Sequence, residues 1–304
     1  MSEAQSPGPD HRPASPEPDP VAAGRAHRVV VGIDGSAAAT HALAWVLSKR
    51  HLFGPVLAVT TFQPPATRHA LVAARTDRDA RGRAKAEKLL DAAVSAADTA
   101  LRPSAAVLEG QAGPALVEQA GDADLLVVGT RGHGRLASAL LGSVSSYCVT
   151  HADCPVVVVP PGCATDRPLM RCVVGIDGSE GATKALQWAV DHVEPDGTIH
   201  AVGGLSPWNY MSGHFDPPLE VLQQDLLDTV EHAVGRVTGA GYEGPEIRIK
   251  TVTKTAGLVL RGADAPVDLL VVGAGERSRQ ALAIGSVAAT VAHRPNIPTV
   301  IVPS

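Results

Sequence analysis

The chain repeats itself, and this limits the folds open to it more than any other feature. "RVVVGIDGS" begins at Arg28 and "RCVVGIDGS" at Arg171, an offset of 143 residues. "ALAW" at Ala42 returns as "ALQW" at Ala185 with the same offset. "LLVVG" at Leu125 returns at Leu269, offset by 144, and "GSV" at Gly142 returns at Gly285, offset by 143 again. "VVVVP", ending at Pro160, returns as "VIVP" ending at Pro303. The 304 residues therefore read as two copies of one domain, 27–162 and 168–304, joined near "PPGCATDRP". Residues 1–26 hold six prolines and few large apolar side chains. Such a segment buries too little surface to offset its ordering entropy, so a disordered tail is expected there.

Each copy alternates strands with helices. In the first, continuous apolar runs predict strands near 28–33, 56–62, 104–109, 125–129 and 155–160, with helices near 37–50, 79–101, 114–121 and 143–152. In the second, strands are expected near 171–176, 198–203, 246–252, 268–273 and 298–302. Unbroken Val/Ile/Leu strands are buried on both faces, which means a parallel sheet covered by helices. The fold class is α/β: two tandem doubly wound domains, each a five-stranded parallel sheet flanked by helices. The terminal strands "VVVVP" and "VIVP" are too apolar to stand as open edges and must be paired or covered. Pairing the two within one chain is expected to give a pseudo-twofold unit, two of which can then associate as a homodimer.

Composition narrows the function. The net charge of −5 supplies no basic field for nucleic acid or an anionic membrane, and 3% aromatics make a poor base-stacking surface. Apolar runs are strand-sized, shorter than a membrane span, and no secretory pattern opens the chain, so a cytoplasmic protein is expected. Cys148, Cys154, Cys163 and Cys172 form no CxxC pair and read as reduced thiols, with no metal site among them.

The chemistry concentrates in "VVGTRGHGRLASALLGSVSS", residues 127–146. A strand runs into a glycine-rich turn, and Gly142 and Ser143 open the next helix. Free N–H groups at a helix start, the helix dipole and a nearby hydroxyl favour an anion. Gly129 and Gly132 are expected to allow close backbone approach and positive φ. Arg131, His133 and Arg135 add positive charge that suits a polyphosphate. There is no GxxxxGK[ST] and no GxGxxG; instead an acid, Asp34, sits at the tip of the first strand. A carboxylate there suits a ribose hydroxyl or an adenine amino group, not a phosphate. Asp34 can equally serve the helix start that follows it. Trp45 and Trp188 recur at one repeat position and are expected in the core; His41, His51, His151, His192 and His293 are expected at surface or boundary positions.

The spacing G-x2-G-x9-G-[ST], met by Gly129, Gly132, Gly142 and Ser143, resembles the nucleotide loop of the universal stress proteins. "VVGIDGS" and "HADCPVVVVP" are similar to that family as well. The resemblance implies flavodoxin-like (adenine nucleotide alpha hydrolase-like) domains, ATP as cofactor with or without Mg²⁺, dimers through the last strand, and a role in stress survival without a settled reaction. Carried over residue by residue, it implies nucleoside contacts at Asp34 and at the backbone of Val59. It implies ribose and phosphate contacts at Gly129 and Gly132, and phosphate contacts at Gly142 and Ser143, with Val144 and Ser145 following.

The second copy keeps Asp177 and Val202 but departs in its loop. Gly273 and Gly285 are one residue closer than Gly129 and Gly142, and Glu276 enters the turn. Losing one residue removes about 3.3–3.6 Å of reach, more than the hydrogen-bond distance window tolerates. ATP is therefore expected mainly in the first domain. "WNYMSGHFDPPLE", residues 208–220, reads as a longer loop beside the second site. Three functions stay open: a nucleotide-dependent switch, a slow ATP hydrolase and a nucleotide-free scaffold. The loop lacks the carboxylate pair and Walker-type lysine that fast hydrolysis uses.

Overall fold

The structure, a computed structural model, describes residues 29–63, 72–97, 102–130, 141–204, 219–252, 267–274 and 297–304. The Pro-rich tail, most of 208–220 and the second glycine loop lie outside the described residues.

The first half contains β1 (Val29–Gly32), α1 (Ala37–Leu47), α2 (Arg50–Phe53), β2 (Val56–Phe62), α3 (Val72–Ala96), β3 (Ser104–Glu109), α4 (Ala112–Gln119), β4 (Leu125–Gly129), α5 (Ser143–His151) and β5 (Val156–Val159). The second contains β6 (Arg171–Ile176), α6 (Glu180–His192), β7 (Thr198–Gly204), α7 (Leu219–Val237), β8 (Glu246–Val252), β9 (Leu269–Gly273) and β10 (Thr299–Val302). Two helix expectations shift. The stretch expected as one helix over 37–50 ends at Leu47 and resumes as the single turn α2, and α3 starts seven residues earlier than expected. The early start has little apolar periodicity behind it, which is why the pattern alone misses it.

All ten strands form one sheet in the order β3-β2-β1-β4-β5-β10-β9-β6-β7-β8. Every pairing is parallel except β5 with β10, which run antiparallel with Val157 opposite Val300. Each half is thus a doubly wound five-stranded unit, and the two meet through their last strands. The expected intrachain pairing of the terminal strands is thus formed, and a homodimer through those same strands is what changes. Neither β5 nor β10 keeps an open edge for a second copy, because each has a neighbour on both sides. One apolar cluster runs beneath α1, α3, α6 and α7 across both halves, and a second includes residues of α4 and α5 on the other sheet face.

The join is packed as well as paired. Phe53 lies 5.9 Å from the Trp45 ring and 6.1 Å from that of Trp188, so α2 bridges the repeated tryptophans. Both tryptophans are buried. Lys49 sits 4.9 Å over Trp45, and His192, its counterpart in the repeat, stacks 4.2 Å from Trp188. The linker is held by side chains of the first half. His41 donates to the Cys163 carbonyl at 2.6 Å, Lys49 Nζ to the Thr165 carbonyl at 2.9 Å, and Ser48 to the same carbonyl. His51 reaches Glu194 of the second half at 2.9 Å. The lysine is only 1% exposed. Burial lowers its pKa to about 8, against the opposing pull of nearby acidic groups.

All four cysteines are free and buried. Burial pushes the Cys148 thiol up to about 12 and Cys154 to about 11, and raises Cys172 as well. Thiols held in the protonated form are poor nucleophiles, as expected of structural cysteines.

Candidate functional site

The parallel order places a switch point between β1 and β4, and ligands in such sheets bind beyond the carboxyl ends of the strands there. A cleft of about 800 Å³ opens at this place. Seven of the ten residues selected from the sequence line it: Asp34, Val59, Gly129, Gly142, Ser143, Val144 and Ser145. Arg131, Gly132 and His133 lie outside the described residues.

Asp34 follows β1 and is exposed. Its carboxylate accepts the Ser36 N–H at 2.9 Å, which shapes the turn into α1. Ser36 in turn caps α1 by accepting the Ala39 N–H at 3.2 Å. Between them Gly35 takes φ 81°, where a side chain is disfavoured. The acid therefore serves the helix start and also faces the cleft. Val59 is fixed by the sheet: its carbonyl accepts the Ile33 N–H at 2.7 Å.

Gly129 corrects one expectation. It does not adopt positive φ, and neither does Gly142, whose φ is −69°. What requires glycine at 129 is crowding. A Cβ there would lie 2.8 Å from the backbone carbon of Ala38 and 3.0 Å from the Ala39 nitrogen. The end of β4 thus packs directly against the first turn of α1, and the glycine permits that approach.

The ends of the glycine loop are clamped together. Gly142 N–H donates to the Thr130 carbonyl at 2.8 Å, and Ser145 Oγ to the same carbonyl at 3.2 Å. Ser145 is buried and also donates to Gly142 O at 3.0 Å, so its hydroxyl is engaged within the fold. Ser143 is exposed at the first position of α5. The first-turn N–H groups of a helix have no intrahelical acceptor. Here those of Ser143, Val144 and Ser145 lie at the cleft, where the helix dipole favours an anion.

The sequence reading missed one wall. Helix α3 contributes Gly82, Lys85, Ala86 and Leu89, beside Thr60, Thr61 and Phe62 of β2. The available signal was a pair of small residues one turn apart, Gly82 and Ala86, in a stretch of the helix rich in Arg, Lys and Glu. Asp34 and Lys85 are the ionisable side chains among the described residues that line the cleft.

The second half repeats the turn. Asp177 accepts the Ser179 N–H at 3.0 Å, Ser179 accepts the Ala182 N–H at 3.1 Å, and Gly178 takes φ 84°. A Cβ at Gly273 would lie 2.6 Å from the backbone carbon of Gly181. The altered loop, with Glu276 and Gly285, lies outside the described residues.

Comparison with known proteins agrees with this architecture. The chain is 28% identical over 311 residues to universal stress protein Rv1996 of Mycobacterium tuberculosis, covering 90% of this chain and 96% of that one. It is 29% identical over 297 residues to universal stress protein Rv2005c of the same organism, with the same coverage. A universal stress protein structure from Archaeoglobus fulgidus superposes with a TM-score of 0.62 at 16% identity, over 90% of this chain and 97% of that one, a likeness of fold. The model of the universal stress protein family matches twice, over residues 25–160 and 169–303. The chain belongs to the universal stress protein family, as a member with two tandem flavodoxin-like domains.

Proposed function

We propose that the first domain binds ATP and that the chain acts as a nucleotide-dependent regulatory or stress-survival switch. The observation that carries this reading is the convergence of Asp34, Val59 and the start of α5 on one cleft of about 800 Å³ at the β1/β4 switch point. The nucleoside sits against Asp34 and Val59, and the phosphates against the N-terminus of α5, with Arg131, Gly132 and His133 completing the loop. Mg²⁺, if it accompanies ATP, is carried in on the phosphates: among the described residues there is no cluster of His, Cys, Asp or Glu that could hold a metal.

The same cleft favours binding over hydrolysis. Asp34 is its one carboxylate among the described residues, and that carboxylate already accepts a backbone N–H. Hydrolysis requires a positioned water and charge stabilisation at the γ-phosphate. The reading is a non-enzymatic one, working in the cytoplasm; no described helix is long and apolar enough to cross a membrane.

Calorimetric titration with ATP tests the proposal. One site per chain, lost in Asp34→Ala and Gly142→Ala, is the expected result. Absence of binding returns the chain to a nucleotide-free scaffold, in which the glycines serve turn geometry alone. Light scattering tests the assembly: the mass of one chain is expected, because the paired unit is built within it.

A further inference from the structure

Among the described residues, the two halves differ in the helix beside the second strand of each repeat. Leu90 and Ala93 of α3 are buried, and Val230 and Ala233 occupy the same places on α7. The burial patterns of the two helices then run in step, so Gly82, Lys85 and Ala86 correspond to Leu222, Asp225 and Leu226. On the facing strand, Val59 corresponds to Val202 and Thr60 to Gly203.

The exchange is complementary in size. A Cβ at Gly203 would lie 2.7 Å from Val230 Cγ2 and 2.9 Å from Leu226 Cδ1, so α7 packs its leucine onto a strand stripped of its side chain. In the first half the strand carries Thr60, and the helix residue opposite is reduced to Ala86. Volume has moved from strand to helix. Thr60 and Ala86 leave the cleft open, whereas Leu226 fills the corresponding wall. The exchange also reverses charge: Lys85 becomes Asp225, both exposed.

We infer that the α3 wall selects an anionic nucleotide, Lys85 by charge and Ala86 by space, and that its replacement in α7 closes the second domain to the same ligand. This rests on the proposal that the first cleft binds ATP. It differs from a loop-only account of the second domain, because it places the exclusion on the nucleoside side of the site. An ammonium in a cleft whose other ionisable lining side chain, among the described residues, is Asp34 favours ligands in proportion to their negative charge, whether or not it touches a phosphate. An aspartate at that place opposes them.

The test is titration of the full chain with ATP, AMP and adenosine at one ionic strength. Lys85→Gln is expected to weaken ATP about tenfold, AMP less and adenosine not at all, while Lys85→Arg keeps wild-type affinities. Ala86→Leu is expected to weaken all three alike, about tenfold or more, by filling the wall. Melting temperatures confirm that each variant is folded. Equal losses for ATP and adenosine in Lys85→Gln overturn the role of Lys85. Wild-type affinities in folded Ala86→Leu, or two ATP molecules per wild-type chain, overturn the role of the helix exchange. Both results leave the first cleft a nucleotide site; a wild-type chain that takes up none of the three ligands removes that reading and this one together.

Discussion

The two halves share the scaffold of the site and differ in what faces the ligand. Asp34 and Asp177 shape the same turn, Gly35 and Gly178 take φ 81° and 84°, and Ser36 and Ser179 cap the following helix at 3.2 and 3.1 Å. Gly129 and Gly273 both press the strand end against the helix start. Had these features existed only for nucleotide, they would have no reason to persist beside Leu226 and Asp225. Their contacts in both halves are with the strand–turn–helix unit itself, which on the proposed exclusion of nucleotide from the second domain is what keeps them there. Part of what reads in sequence as a phosphate loop is packing, and the discrimination we infer lies on the helix wall.

This comparison can be broken at several points, and the largest effect is expected at the join. Lys49 loses its proton at about 8 in the folded chain but near 10.5 when unfolded. Between those values the unfolded chain binds more protons, so the contribution of Lys49 to stability rises with pH across that window. Relative to Lys49→Met, the wild type should gain on the order of 3 kcal/mol from pH 8 to 10.5. Denaturant unfolding of both proteins across that range measures it; parallel profiles would show that the lysine is not desolvated. The buried thiols act in the opposite direction above pH 9, but they are present in both proteins and largely cancel.

Next come the paired glycines. Gly129→Ala and Gly273→Ala each force a methyl group against backbone atoms, at 2.8 and 2.6 Å. Each should cost about 1–3 kcal/mol of stability, the second at least as much as the first. Only Gly129→Ala should also weaken ATP. A neutral Gly273→Ala in chemical unfolding would remove the packing account of the strand-end glycine.

Smaller again is the contrast between the two acids. Asp34→Ala should lower ATP affinity about tenfold, as expected for loss of a charge-assisted hydrogen bond, while Asp177→Ala leaves it unchanged. Equal effects would mean that both clefts bind. The smallest effect is expected at the exposed pair between the halves: His51→Gln should change stability by less than about 1 kcal/mol, since His51 is 56% exposed.

Much of the site was legible because its residues sit at strand ends, where the alternation of strand and helix fixes position. "VVGIDGS" places Asp34 after β1, and "LLVVG" places Gly129 after β4. Ser143 followed from the helix start. The α3 wall was not legible in the same way. Gly82, Lys85 and Ala86 lie in a charged, weakly periodic helix, and which of its faces meets β2 is decided by packing. Gly129 was read for the wrong freedom, because the sequence shows a glycine but not the Ala38 backbone pressed against it. The terminal strands were recognisable as needing partners and as able to pair with each other within the chain, and they do; their antiparallel sense is what the structure adds.

The sequence by itself determined the duplication, the two parallel doubly wound domains and the strand ends at which a ligand can be held. These follow from hydrophobic periodicity and turn residues, which act over a few neighbours along the chain. Only the tertiary structure decided the antiparallel β5–β10 seam, the burial of Lys49 beneath the linker, and the exchange of Thr60 and Ala86 for Gly203 and Leu226. Each joins residues far apart in sequence, and volume and charge at such contacts balance only when both partners are in place.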